Sequence, residues 1–323
     1  MALSMDAAKL STIIVLNSSC AKKSFRLIGA VFIGARLDDT VRVMVTGLLL
    51  NYRDAVRSIS CVHSLLGQGI QHVVVWDNSA DGGTSAAAIA AVFVHDARVD
   101  LHVSVANLGF AAGVNRGLEH CHQRYPGAWV LLINNDARLL PGGLTKLVDA
   151  LVANSNARIA YPDIDHAGRV LGPAYCHRLT GLLSWRARRG YFPYASGCCL
   201  LVAAERVALP LFDEDFFMYG EDWELGWRLA QLPGAMAYVH ETLVEHDGSA
   251  SSGLGSAFYE SHMVAAHLIL ARKLARSWVE TGVLLASRIC MLVARGAIRS
   301  IRFRSLVPCK ALWHGVRIAS GRR

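Results

Sequence analysis

The chain has 323 residues, 53% apolar and 18% charged, with 28 glycines and 8 prolines, which suits one large globular domain with an appendage and excludes a disordered chain. Its net charge of +8 is uneven: residues 251–323 carry twelve Lys and Arg against Glu260 and Glu280, a net +10, so the preceding 250 residues carry −2. A protein basic throughout, as nucleic-acid binding favours, is excluded; the basic end, with Trp278, Phe303 and Trp313 among apolar residues, reads as a membrane-surface element.

Residues 1–40 read as an extension. Its stretch 10–21 imitates a short signal sequence, but Asp6 precedes it and no small-residue cleavage site follows. Residues 43–50 form a continuous apolar run ending at Asn51-Tyr52, as in a strand buried on both faces. Asp54 then starts a helix with Val56, Ile59, Val62, Leu65 and Leu66 on one face. A second strand, 72–76, stops at Asp77-Asn78-Ser79; a helix at 84–93 and a third strand at 101–105 follow. The segment Asn107-Leu108-Gly109-Phe110-Ala111-Ala112-Gly113-Val114-Asn115-Arg116-Gly117 opens a helix reaching about residue 122. A fourth strand, 129–133, ends at Asn134-Asn135-Asp136, and Pro141 begins the next helix. This alternation implies a mostly parallel sheet with helices on both faces, whose ligands bind beyond the carboxyl ends of the strands. Asn51, Asp77 and Asp136 all fall there.

Beyond residue 159 the pattern weakens. Strands are expected at 195–202 and 237–244, a helix at 221–232, and a Ser/Gly-rich loop at 248–255. Residues 212–225 crowd Asp213, Glu214, Asp215, Glu221, Asp222 and Glu224 among Phe212, Phe216, Phe217, Tyr219 and Trp223. Acids held among aromatic rings suggest a cleft; a solvated loop leading into a helix start is the other reading. On that helix Asp222 is expected to face the cleft and Glu221 a structural partner, and a carboxylate so placed can take a proton from a hydroxyl nucleophile. Asp77 either accepts hydrogen bonds from a base or sugar or caps a turn. Gly109, Gly113 and Gly117 recur every fourth residue, either for close packing or, with Asn115 and Arg116, for a diphosphate. Asp136 offers a hard oxygen ligand for Mg²⁺ or Mn²⁺, and His246 could complete that shell. The eight cysteines form no CxxC pair, which fits small core thiols in a reducing cytosol.

Residues 256–323 read as helices, Phe258-Tyr259-Glu260 beginning the first. Leu284, Ile289, Leu292, Val293, Ile298 and Ile301 mixed with Arg288, Arg295, Arg299 and Arg302 describe an amphipathic surface helix or an ordinary solvated pair. No uncharged apolar run reaches the roughly 18–20 residues of a bilayer span, so the expected segment lies on a membrane without crossing it.

In order, Leu49-Leu50-Asn51-Tyr52, Val75-Trp76-Asp77-Asn78-Ser79, the Asn107 to Gly117 segment, Leu132-Ile133-Asn134-Asn135-Asp136, the 212–225 cluster and His246 resemble the inverting glycosyltransferases of family 2, and within them the bacterial rhamnosyltransferase-like enzymes. The resemblance covers about residues 41–275. It implies a GT-A fold at 41–255, a Rossmann-like, mostly parallel sheet flanked by helices, followed by the basic helical segment 256–323. It also implies a nucleotide-sugar donor, dTDP-rhamnose or a UDP-hexose, and a saccharide acceptor carried on lipid, at the inner face of the cell membrane. By matching positions, Asn51 and Asp77 would meet the nucleobase and ribose. Asn107, Gly109, Asn115, Arg116 and Asn135 would line the donor pocket. Asp136 and His246 would hold a divalent metal and the diphosphate, and Asp222 would be the general base with Glu221 beside it. This chain departs from the pattern in having Asn134 where the family's metal motif starts with an acid, a short opening loop, and no counterpart for residues 1–40. A nucleotidyltransferase would need a Gly-rich phosphate loop where Asn51-Tyr52 stands, a non-catalytic binding module could dispense with Glu221-Asp222, and nucleic acid is not an expected partner.

Overall fold

The computed structural model describes residues 43–247, 253 and 255–321; the extension at 1–40 and most of the 248–255 loop lie outside the described residues. Strands β1 (Val45–Asn51), β2 (His72–Asp77), β3 (Val99–Val103) and β4 (Trp129–Ile133) alternate with helices α1 (Ala55–Gly67), α2 (Thr84–Phe93) and α3 (Phe110–Arg124). β1 lies between β2 and β4, β2 pairs β3, and all of these pairings are parallel. Continuous apolar runs are required because both faces are covered. Leu49, Val73, Val75 and Leu131 meet Cys61, Val62 and Leu65 of α1, whereas Leu48, Val74 and Leu132 meet Val114 and Leu118 of α3.

The second half adds β5 (Ala137–Leu139), α4 (Gly143–Ala153), β6 (Ile159–His166), β7 (Arg169–Leu171), β8 (Ala174–His177), β9 (Leu183–Ser184), β10 (Tyr191–Tyr194), β11 (Cys199–Val202), α5 (Glu221–Ala230) and β12 (Met236–His246). The main sheet runs β3-β2-β1-β4-β11-β6-β12-β5, with β7 on β6; β10-β8-β9 form a second sheet. β11 is antiparallel to both its neighbours, β6 and β12 are parallel, and the sheet as a whole is mixed but mostly parallel.

Some expectations are corrected. Val56 is 80% exposed, because the buried stripe of α1 runs through Ser58, Cys61, Val62 and Leu65. β3 ends at Val103, where pairing to β2 stops at Asp77, and leaves Val105 wholly exposed. α4 begins two residues after Pro141, behind Gly142 at φ 77°.

The chain closes with α6 (Ala257–Leu274), α7 (Trp278–Phe303) and α8 (Val307–Ala319). Ser256 and Ser277 cap α6 and α7 by accepting from the amides of Tyr259 and Glu280. α6 is the central element: Ala265, Ala266, Ile269 and Leu270 pack with Phe216, Trp223, Cys176 and Phe192. The inward face of α7 carries Leu284, Leu292 and Gly296 together with charge. Arg288 is fully buried and donates to the carbonyls of Leu179 and Arg178 (3.1 and 3.0 Å) and to Nδ1 of His267 (2.9 Å). Burial, then the charges of Arg288 and Arg295, keep His267 well below its ordinary pKa, so it stays a neutral acceptor. Arg295 and Arg299 each donate at 2.7 Å to Glu260, which is fully buried. Contrary to the sequence expectation, α7 has the length and mean hydropathy (1.5) of a bilayer-crossing helix, yet these three arginines are committed to the protein interior.

Candidate active site

The strand ends of the main sheet frame a cleft of about 420 Å³, within the usual range for small-molecule sites. Beneath its lining runs a hydrogen-bond relay, of which Asn135 lines the cleft while Asn51, Ser58, Asp77 and Ser79 are buried behind it. Asn51 donates to Asp77 Oδ1 (2.7 Å) and Ser79 Oγ (3.1 Å), Ser58 Oγ donates to Asn51 Oδ1 (2.7 Å), and Asn135 donates to Ser58 (3.1 Å). Three loops are thereby held in register. Asn51 and Asp77 are buried, and Asp77 Oδ2 has no partner, an unsatisfied acceptor that costs free energy until a donor arrives.

One wall comes from the start of α3. Asn78 donates to Asn107 Oδ1 (3.1 Å) and the Gly109 carbonyl (2.9 Å), and accepts from the Leu108 amide (3.0 Å). Gly109 sits at φ 81°, and a Cβ there would overlap the carbonyl oxygen of Phe217, which accepts from the Phe110 amide at 2.7 Å. Only glycine lets the two loops touch. Gly113 and Gly117 instead let α3 settle on Leu50 and Leu48, so their spacing serves packing.

Two expected donor-pocket residues stand elsewhere. Asn115 is fully buried and clamps the 212–214 loop, donating to the Phe212 carbonyl (2.8 Å) and Glu214 (3.1 Å) and accepting from the Phe212 amide (3.0 Å). Arg116 pairs with Glu119 (2.8 Å) and Glu214 (3.6 Å) away from the cleft lining. Asn107, Gly109, Asn135, Asp136, His246, Glu221 and Asp222 do line it.

At the far end Asp136 Oδ1 lies 3.0 Å from Nε2 of His246, whose Nδ1 is 2.9 Å from Nδ1 of His166. Nε2 of His246 faces Asp136, and the two Nδ1 atoms share one proton between the rings, with donor and acceptor set by the tautomer. Burial alone would raise the Asp136 pKa, but the hydrogen bond and charge of His246 outweigh it and hold the carboxyl below its ordinary value. Burial, then the charge of His246, lowers the pKa of His166. Among the described residues no three Asp, Glu, His or Cys side chains gather as a closed metal site. One carboxylate and one imidazole facing a cleft fit a divalent ion that completes its shell from phosphate and water.

Glu221 and Asp222 occupy the first turn of α5, behind Gly220 at φ 92°. A Cβ on Gly220 would stand 2.9 Å from both Phe216 and Ala266, so glycine is again needed. Both acids line the cleft, which corrects the expectation that Glu221 points away; its Oε2 has no hydrogen-bond partner. Burial drives both pKa values well above the ordinary carboxylate range, for Glu221 with the added charge of Asp222. Amides of Trp223 and Gly197 partly offset this at Asp222, the former at 2.9 Å from Oδ1. Phe217, Met218 and Tyr219 form the wall beside these acids, while Phe212 and Phe216 belong to the core.

Sequence reasoning missed Ser58, His166, Phe258 and Tyr259. Asn78 lay in a quoted motif without a role. The position of Ser58, seven residues after Asn51 on the first turns of α1, was a signal that could have found it.

Residues 58–202 match the family model described as Glycosyl transferase family 2. The N-acetylglucosaminyl-diphospho-decaprenol L-rhamnosyltransferase of Mycobacterium tuberculosis is 29% identical over 226 residues, 60% of this chain and 71% of the relative. Among solved structures, GalNAc-T7 with UDP, GalNAc and Mn²⁺ superposes with a TM-score of 0.55 at 13% identity, covering 72% of this chain and 48% of that one. The mannosyltransferase PcManGT of Pyrobaculum calidifontis with GDP-Man and Mn²⁺ gives 0.53 at 15% identity, covering 88% and 89%. TarS of S. aureus gives 0.52 at 11% identity, covering 87% and 82%. At these identities the three structures speak for the fold, which is GT-A. Sequence match, cleft and fold agree in supporting a family 2 glycosyltransferase, similar to the rhamnosyltransferase above.

Proposed function

We propose that the protein transfers a sugar, L-rhamnose from dTDP-rhamnose or a hexose from a UDP-sugar, to a hydroxyl of a lipid-linked saccharide, with inversion at the anomeric carbon. The observation that carries this reading is the convergence, in one cleft, of the Glu221-Asp222 pair and the Asp136–His246 pair. Asp222 takes the proton of the attacking hydroxyl; its raised pKa makes it a stronger base than a solvated carboxylate, and Glu221 orients the acceptor beside it. Asp77 Oδ2 receives the imino N–H of a thymine or uracil, which relieves an orphaned buried oxygen. Asn107 and Asn135, which line the cleft, contact the donor. Asp136 and His246 would hold a divalent cation, which when bound offsets charge on the departing diphosphate.

The similar M. tuberculosis protein is named for a rhamnosyl transfer to a diphospho-decaprenol carrier, and this supports the choice of sugar, acceptor and a membrane-proximal cytoplasmic site. The test is nucleoside diphosphate release from dTDP-rhamnose, UDP-glucose, UDP-galactose and UDP-N-acetylglucosamine, with a short-chain polyprenyl-diphosphate-GlcNAc acceptor and with Mg²⁺, Mn²⁺ or EDTA. Acceptor-dependent release from dTDP-rhamnose, abolished by EDTA, is expected. Release from none of the four donors with either metal would overturn the reading.

A further inference from the structure

The face that α7 turns outward is apolar from end to end. Val283, Ile289, Val293, Ile298 and Ile301 are each about half exposed or more, and no exposed residue between Val283 and Ile301 is charged. Such a stripe normally faces a core. Here the inward face already holds Leu284 and Leu292, together with Arg288, Arg295 and Arg299 bonded into the fold, and a second apolar stripe is left outside. Trp278 at one end is 86% exposed, and Trp313 on α8 is 67% exposed. Past the C-terminal end of the stripe, Arg302, Arg304, Lys310 and Arg317 are exposed, and the two acids after residue 250 are used elsewhere, Glu260 inside the fold and Glu280 on Arg178.

We propose that this face of α7 and α8 beds into the interfacial layer of an anionic membrane, with the α7 axis along the surface. The apolar stripe enters the acyl boundary, the two tryptophans sit at headgroup level, and the four cations meet lipid phosphates. A spanning orientation is disfavoured because it would require pulling Arg288 and the Glu260 pairs out of the protein. A second copy of the chain is the poorer occupant, since its own cations would meet these, whereas anionic headgroups complement them. The face also ends beside the cleft. The Arg299 guanidinium stacks between Phe303 (4.8 Å) and Tyr259 (5.6 Å), and Tyr259 lines the cleft. Bedding therefore brings the cleft mouth to lipid level, where a lipid-carried acceptor enters; for that purpose the inference rests on the acceptor proposed above.

The test is co-sedimentation of the full chain with vesicles of phosphatidylcholine alone and of phosphatidylcholine and phosphatidylglycerol in equal parts. Three proteins are compared: wild type, Ile289→Asn/Val293→Asn/Ile298→Asn, and Arg302→Gln/Arg304→Gln/Lys310→Gln. Wild type should prefer the anionic vesicles by about tenfold or more, the first variant should lose at least about tenfold on both, and the second should lose the preference alone. All three should transfer sugar equally to a water-soluble short-chain acceptor. Wild type that ignores both vesicles, an apolar variant that binds as wild type does, or a dimer in light scattering that the same substitutions split without any vesicle binding each overturn the proposal. Vesicle binding as expected in a protein that transfers no sugar would sink the functional reading and leave this one standing.

Discussion

Glu221 and Asp222 are consecutive in the chain, and both line one cleft from the first turn of α5. Two adjacent carboxylates sharing a buried site cannot both ionise cheaply, and their raised pKa values record this. The α5 N-terminus and the Trp223 amide favour an anion at Asp222, whereas Oε2 of Glu221 has no donor. The pair is therefore best described as one proton shared unequally, with Asp222 the readier to act as base.

Asp222→Asn should lower transfer by about 10²–10⁴ while leaving nucleotide binding near wild type. In the wild-type enzyme the base works only when ionised. Activity should therefore climb with pH through a window above the ordinary carboxylate range. In Glu221→Gln that limb should move little, because Asp222 ionises before Glu221 and owes its raised pKa to burial. Initial rates against pH, with isothermal titration of the nucleoside diphosphate, check all three statements.

The same pair sets a pH dependence of stability. Its folded pKa values lie above the unfolded ones, so the folded state binds more protons in the window between them, and stability falls as pH rises through it. Glu221→Gln removes part of that loss. The variant should melt at a higher temperature than wild type at neutral pH and at the same or a lower one at pH 4. A Tm difference that does not change between the two pH values would contradict the assignment.

Gly109 and Phe217 join the α3 start to the acidic loop, so Gly109→Ala should strike the cleft before the core. The substitution combines a left-handed φ, costing roughly 1–2 kcal/mol, with overlap on a carbonyl oxygen. Transfer should fall at least about tenfold while far-UV circular dichroism stays native, since α3 keeps its packing on Leu48 and Leu50. Gly82→Ala, also at positive φ but with no neighbour to meet, is the control and should retain activity.

The strand-end residues were legible because a parallel strand buried on both faces writes itself as an apolar run with an abrupt polar stop. Asn51, Asp77 and Asp136 mark those stops. Contacts between distant segments left no such mark. Asn115 reads as a helix-start polar residue, and only the fold brings it to Phe212, 97 positions away. His166 was hidden because β6 reads Ile-Ala-Tyr-Pro-Asp-Ile-Asp-His, where Pro162 and two aspartates disguise a strand held by pairing to β12. In α7 the mix of isoleucine and arginine left a surface helix and a solvated pair both open, because helical spacing alone cannot tell which face meets the protein.

That choice of face rests on Glu260, which fastens α7 to α6 through Arg295 and Arg299. With all three buried or nearly so, the cluster fixes the rotation of α7 more than it adds net stability, since desolvation consumes much of the attraction. Removing one partner is a different matter. Glu260→Ala leaves two guanidinium groups facing inward without their anion, and should cost about 3–5 kcal/mol. Glu260→Gln keeps the volume and two hydrogen-bonding positions and should cost less. If α7 is held by this cluster, Glu260→Ala should also raise hydrogen exchange along α7 and α8 while β1, β2 and β4 stay protected. Exchange rising uniformly across the whole domain would show that Glu260 serves global stability and does not set the orientation of α7.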